Sequence, residues 1–167
     1  MHRCCTAFAC ATVIAALSTG PASAQTPAPA QATPAPAAGS PGIYKAAAEL
    51  AAQLTRAAPT GGMTTSAVSN TDQYRVNIVH RETPAGAVAH PGNTELHYII
   101  EGAGTIVTGG SIVRPTGAGA QATIENGVAR RVSKGDVVIV PVNTPHWYRD
   151  LDGPITYLEV RFVAPVQ

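Results

Sequence analysis

The sequence predicts an all-β sandwich or small barrel preceded by one short helix. After Thr64, about eight short runs rich in Val, Ile, Thr and Tyr follow one another in roughly 100 residues, separated by Gly, Pro and Asn. A single amphipathic stripe lies just upstream of them. The length of 167 residues allows one ordinary core with appendages, not two full cores. A closed or double-sheet arrangement would also remove the exposed edges that so many short strands create.

Residues 1–24 read as a secretory signal peptide. Met1-His2-Arg3 is a short basic start, Cys4 to Leu17 is almost uninterrupted apolar sequence, and Ala22-Ser23-Ala24 is a small-x-small cleavage site. The apolar run falls short of the about 20 residues that span a bilayer, so no membrane span is expected after signal removal. Secretion or a periplasmic location follows as the expectation. The three cysteines, Cys4, Cys5 and Cys10, all lie in this segment. The mature chain therefore has no disulfide, no thiolate ligand and no Cys nucleophile.

Residues 25–42 are Ala/Pro-rich and read as an extended, solvated tether, because proline fixes φ and removes backbone donors. Residues 43–58 read as a helix. Ile43, Ala47, Leu50, Leu54 and Ala58 fall on one stripe, and Pro59-Thr60-Gly61-Gly62 ends it. This helix is expected to pack outside the β-domain of 64–167 and to carry no chemistry. The expected strands are 74–80, 95–100, 104–108, 111–114, 122–125, 129–133, 136–140 and 156–163.

Charged residues make up 13% of the chain and the net charge is +1, falling to zero once Arg3 is removed. A nucleic-acid or anionic-membrane binder needs clustered Lys and Arg, so those partners are excluded in favour of a small-molecule substrate or ligand. Arg130-Arg131 and Lys134 form only a small cluster that solvates a loop. The turn glycines Gly102, Gly104, Gly109 and Gly110 precede no helix and do not make a phosphate-binding loop.

The chemistry is carried by histidines. Beyond the signal segment there are four: His80, His90, His97 and His146. Glu95 and His97 alternate with Leu96 along an expected strand and so project to one face. His90 precedes a Pro91-Gly92 bend that can fold it over that face. His146 follows a strand and the Pro141-to-Pro145 turn, from which it can approach across a barrel. Neutral imidazoles with one carboxylate suit Fe, Mn, Ni, Zn, Cu or Co as divalent ions, with positions left for water or substrate. His80 closes a strand and reads as a rim or surface residue. Trp147 and Tyr148 can wall a pocket mouth or simply pack the barrel. Tyr98, on the opposite face from Glu95, suits a core or interface. Tyr157, Glu159 and Arg161 share one face of the last strand, which reads as an outward salt-bridge pattern, although Arg161 could anchor an anionic substrate.

Two stretches resemble the paired motifs of the cupin superfamily across about residues 74–162. In the first, His90 matches the second histidine of a His-x-His pair, four residues precede Glu95, and six separate Glu95 from Gly102. In the second, Gly135, Pro141 and His146 match in register, and Asn143 replaces a glycine. That exchange is mild, because Asn tolerates positive φ best after Gly. The resemblance implies a double-stranded β-helix, or jelly roll, often dimeric, with one metal inside the barrel. One position departs from the pattern: Val88 stands where the first histidine belongs, and Val cannot bind a metal. His97 is then the expected substitute, giving His90, His97 and His146 as ligands. Glu95 is expected as a fourth ligand, as an orienting partner, or as a general base beside the metal. The function expected is a secreted metalloenzyme of dioxygenase, lyase or isomerase type. The alternatives are a non-catalytic binding module, or a structural protein whose metal site is degenerate or absent.

Overall fold

Most of the expected strands pair into two facing sheets. The computed structural model describes residue 39 and residues 41–163; the expected signal peptide, most of the expected tether and residues 164–167 of the expected β-domain lie outside them. Within the expected helical stretch, α1 occupies Ala47–Arg56. Ten strands follow: β1 (Met63–Asn70), β2 (Tyr74–Arg81), β3 (Thr94–Glu101), β4 (Ala103–Thr108), β5 (Ser111–Val113), β6 (Thr123–Glu125), β7 (Val128–Ser133), β8 (Val137–Val140), β9 (His146–Leu151) and β10 (Ile155–Phe162). One sheet has the order β1-β2-β10-β3-β8 and the other β7-β4-β9, with β5 and β6 a separate hairpin. All pairings among them are antiparallel. This is a jelly-roll barrel, in which the two sheets cover each other's inner faces.

Two strands depart from the sequence reading. β1 (MTTSAVSN) is an edge strand of small hydroxyl residues with a bulge between Ala67 and Ser69, so it lacks the strong apolar alternation that marks a strand. β9 starts directly at His146 and is short and charged at its end; its pairing with β4, not its composition, makes it a strand.

α1 has no side-chain N-cap, but Glu49 lies in its first turn and Arg56 in its last, both matched to the helix dipole. It sits over β1 on the outer surface of the sheet. Ser66, paired in register with the outward-facing Ile78, is buried there and donates to Gln53 Oε1 at 2.7 Å.

The core lies between the sheets. Val79, Ile99, Ile106, Val132, Tyr148, Ile155 and Tyr157 form one buried cluster. β10 is central in its sheet, flanked by β2 and β3, so its inner residues are covered on all sides. The outward reading of Tyr157, Glu159 and Arg161 is therefore corrected: Tyr157 and Glu159 are buried inside the barrel. The buried charge of Glu159 is accommodated by pairing. Asn77 Nδ2 donates to Glu159 Oε1 at 3.2 Å and Arg161 Nη2 to Glu159 Oε2 at 3.0 Å. The outer face of the same sheet carries the apolar residues, among them Tyr98, Val137, Ile139 and Phe162, all exposed.

Two motif positions show why their residues are needed. Gly102 has φ +81°, and a Cβ there would lie 2.2 Å from the Pro154 carbonyl oxygen, so no side chain fits the β3–β4 turn. Asn143, at the position of the motif's second glycine, has φ 60°, the left-handed conformation that Asn adopts most readily after glycine.

Candidate metal centre

Alternation along β3 sends Glu95, His97 and Ile99 to the barrel interior, each no more than 2% exposed. β9 delivers His146 and Tyr148 to the same interior. His90 comes from the segment before β3, where the backbone of Val88 forms a two-way bridge with His146, N to O distances of 3.1 and 2.8 Å. That bridge lashes the loop carrying His90 to the strand carrying His146.

Glu95 is the hub. Its Oε1 lies 3.3 Å from His90 Nε2 and 3.5 Å from Arg161 Nε, and its Oε2 lies 3.2 Å from His97 Nε2 and 3.5 Å from His146 Nε2. Arg161 reaches it because Arg161 is directly opposite Glu95 in the β10–β3 register. Burial alone would raise the Glu95 pKa. The hydrogen bond from His97 and the charges of His146, Arg161 and His90 outweigh it and hold the carboxyl at about 2. At neutral pH it is a carboxylate.

The imidazoles differ in what they have left to offer. A carboxylate oxygen only accepts, so His97 uses Nε2–H to donate to Glu95 Oε2. In the neutral ring, Nδ1 then accepts from the Tyr148 hydroxyl at 3.2 Å. Both His97 nitrogens are occupied. His146 is different: Nδ1–H donates to the Thr144 carbonyl at 3.1 Å, leaving the Nε2 lone pair directed at Glu95. Burial lowers the pKa of both His146 and His90, against the opposing charge of Glu95, so both rings are neutral at pH 7.

The ligand atoms of His90, Glu95 and His146 all lie within 4.8 Å of one another. Glu95 Oε1 is buried with no hydrogen bond. A lone pair of His146 facing a carboxylate oxygen at 3.5 Å, beside a second oxygen without a donor, is unfavourable unless a cation shares them. The donor set of two neutral imidazoles and one carboxylate therefore fits a divalent transition metal. His97, expected as a ligand, is not in this group; it joins Glu95 and Glu159 in a second buried cluster. Glu159 was missed because β10 reads as outward from sequence. Its neighbours Arg161 and Asn77 already satisfy it.

The centre opens on a cavity of about 210 Å³ whose walls include Met63, Arg81, Val88, Trp147, Tyr148 and Tyr157. His80 stands apart on the outer sheet face, bonded through Nδ1 to Thr156 Oγ1 at 2.9 Å. No helix among the described residues is long and apolar enough to cross a membrane.

A family model described as Cupin matches residues 50–152, more than half of the chain. No curated protein matches it in sequence. Among solved structures, an RmlC-like cupin from Shewanella frigidimarina is 14% identical, with a TM-score of 0.47 over 65% of this chain and 83% of its own. A predicted oxalate decarboxylase from Thermotoga maritima is 15% identical, with a TM-score of 0.47 over 61% and 81%. The hydroxypropylphosphonic acid epoxidase from S. wedmorenis is 15% identical, with a TM-score of 0.49 over 60% of this chain and 51% of the epoxidase.

Proposed function

Because the chain belongs to the cupin family, we propose that it is a secreted or periplasmic metal-dependent enzyme acting on a small molecule, of dioxygenase, lyase or isomerase type. His90, Glu95 and His146 would hold one divalent transition metal, with iron, manganese, nickel, zinc, copper and cobalt all compatible with the donors. The observation that carries this reading is the buried Glu95 carboxylate, with Oε1 unbonded and two neutral imidazole Nε2 atoms within 3.5 Å of it. The secreted location rests on the signal-like residues 1–24.

The metal would supply Lewis acidity, or redox chemistry if it is redox-active. The protein supplies the rest. Thr144 fixes the tautomer and direction of His146 by accepting from Nδ1–H. His97 orients Glu95 and is itself held by the Tyr148 hydroxyl. A carboxylate with a pKa near 2 is a weak base at neutral pH, so Glu95 serves better as an anionic ligand than as a general base. The apolar cavity walls exclude bulk water from the reacting end of a substrate.

Val88 at the first-histidine position favours a second reading, a non-catalytic cupin that binds a small ligand without metal. Elemental analysis separates the two. Purified protein carrying about one equivalent of metal, or rebinding it after stripping, with loss in His146→Ala, supports the enzyme. A wild-type chain that rebinds none of the six metals overturns it.

A further inference from the structure

Among the described residues, Arg81 is the one interior cation that the metal centre does not use. It ends β2 on the inner face, opposite Met63 and Ile155 in register, and its guanidinium stands over the Tyr148 ring at 5.6 Å. Nε and Nη1 are buried without a close hydrogen-bond partner, Nη2 donates to the Met63 sulfur at 3.3 Å, and the guanidinium also lies against the Tyr157 hydroxyl, so its contacts are neutral groups. Among the described residues Arg161, six register positions away along the β2–β10 pair, takes the interior carboxylates, pairing with Glu159 and Glu95. A guanidinium in apolar surroundings without a carboxylate is costly, and an anion that reaches it recovers that cost.

The charge inventory points the same way. Glu95 and Glu159 balance Arg81 and Arg161, so a divalent ion would leave the interior with two excess positive charges. The rings of His97, Tyr148 and Tyr157 form a layer between the two ends. His97 lies 6.1 Å from His146 and 5.8 Å from Tyr148 between ring centroids, and Arg81 stands over the Tyr148 ring. Arg81 and the histidine centre border the same cavity. At about 210 Å³ it exceeds the roughly 150 Å³ cavity that accepts benzene, and it is below the range of about 300–1,000 Å³ typical for larger ligands.

We propose that Arg81 is the carboxylate anchor of this site, and that the substrate is a small, monocyclic or similarly compact carboxylic acid. The acid end pairs with the guanidinium in the two-pronged geometry that Arg offers. The apolar body lies against Tyr148, Tyr157 and Met63, and the opposite end faces His90, Glu95 and His146. The proposal rests on the metal-centre reading for the placement of that reacting end and for the excess positive charge, and on Arg81 itself for the anchor.

Calorimetric titration with benzoate and with uncharged benzamide, on metal-loaded and metal-stripped chain, tests it. Benzoate is expected to bind roughly 10- to 100-fold more tightly than benzamide, the range for a hydrogen-bonded charge partner. Arg81→Gln should erase that preference and Arg81→Lys keep part of it. The preference should persist, weakened, in stripped protein. Equal binding of the two probes, no saturable benzoate binding, or full preference in Arg81→Gln overturns the proposal, and the wild-type comparison decides even if the variants do not fold. Benzoate binding that needs metal and ignores Arg81 refutes the anchor and leaves the metal centre standing. Arg81-dependent binding in a chain that takes up no metal does the reverse.

Discussion

Replacing Glu95 by Gln removes one negative charge and almost no volume. In the wild-type chain, metal at about 100 times its Kd stabilises the fold by about 2.7 kcal/mol. A domain of about 120 residues shifts by roughly 4 °C per kcal/mol, so melting should rise by about 10 °C. Losing the anionic donor should weaken metal binding about 100-fold, the upper end of the effect of removing an orienting carboxylate. At the same metal concentration the rise then shrinks to about 2 °C. The metal-free variant should lose only about 1–2 kcal/mol, because a charged hydrogen-bond acceptor becomes neutral while Arg161 keeps Glu159 at 3.0 Å. Differential scanning calorimetry with and without metal, and after chelation, measures both numbers. If Glu95→Gln keeps the full metal-dependent rise, Glu95 is not a ligand and the centre is wrongly built.

The remaining predictions concern other parts of the site. Val88 is bridged to His146 and borders the cavity, so Val88→His should add a donor and tighten metal binding about tenfold or more; unchanged affinity by competition with a chelating dye would show that position 88 cannot reach the metal. Asn143→Ala should cost about 1–2 kcal/mol in urea unfolding because φ is 60°, whereas Asn143→Gly should cost little or nothing. The metal-free chain should lose stability in acid. His90 and His146 have folded pKa values lowered from 6.5, chiefly by burial, so the unfolded chain takes up their protons first and stability falls as pH drops below about 6.5. Glu95, lowered from 4.5 to about 2 despite its burial, adds a further loss between those two values. A urea midpoint that stays flat from pH 7 to 3 would contradict both shifts.

Local chemistry made much of this protein legible from its residues. Period-two alternation placed Glu95 and His97 on one face before any coordinates, and both are buried together. The Gly102 turn was legible as a turn glycine, and the positive φ of Asn143 followed from its place at a glycine position of the cupin motif, which Asn tolerates for steric reasons. Alternation says which residues share a face, but not which face is inside. That is why Tyr157, Glu159 and Arg161 read as outward. Their sheet is polar within and apolar without near the site, and only the central position of β10 reveals it. β1 and β9 were missed for a related reason, since pairing with β2 and β4 makes them strands.

The sequence by itself therefore determined the barrel class, the motif spacing and the small set of residues able to bind a metal. The tertiary structure alone decided how those residues divide their work. Cross-strand register sets Arg161 against Glu95, and Thr144 and Tyr148 decide which imidazole nitrogens are already taken. Hydrogen-bond satisfaction is a property of neighbours in space, and neither His97's occupied ring nor the partnerless Nε and Nη1 of Arg81 have any signature along the chain.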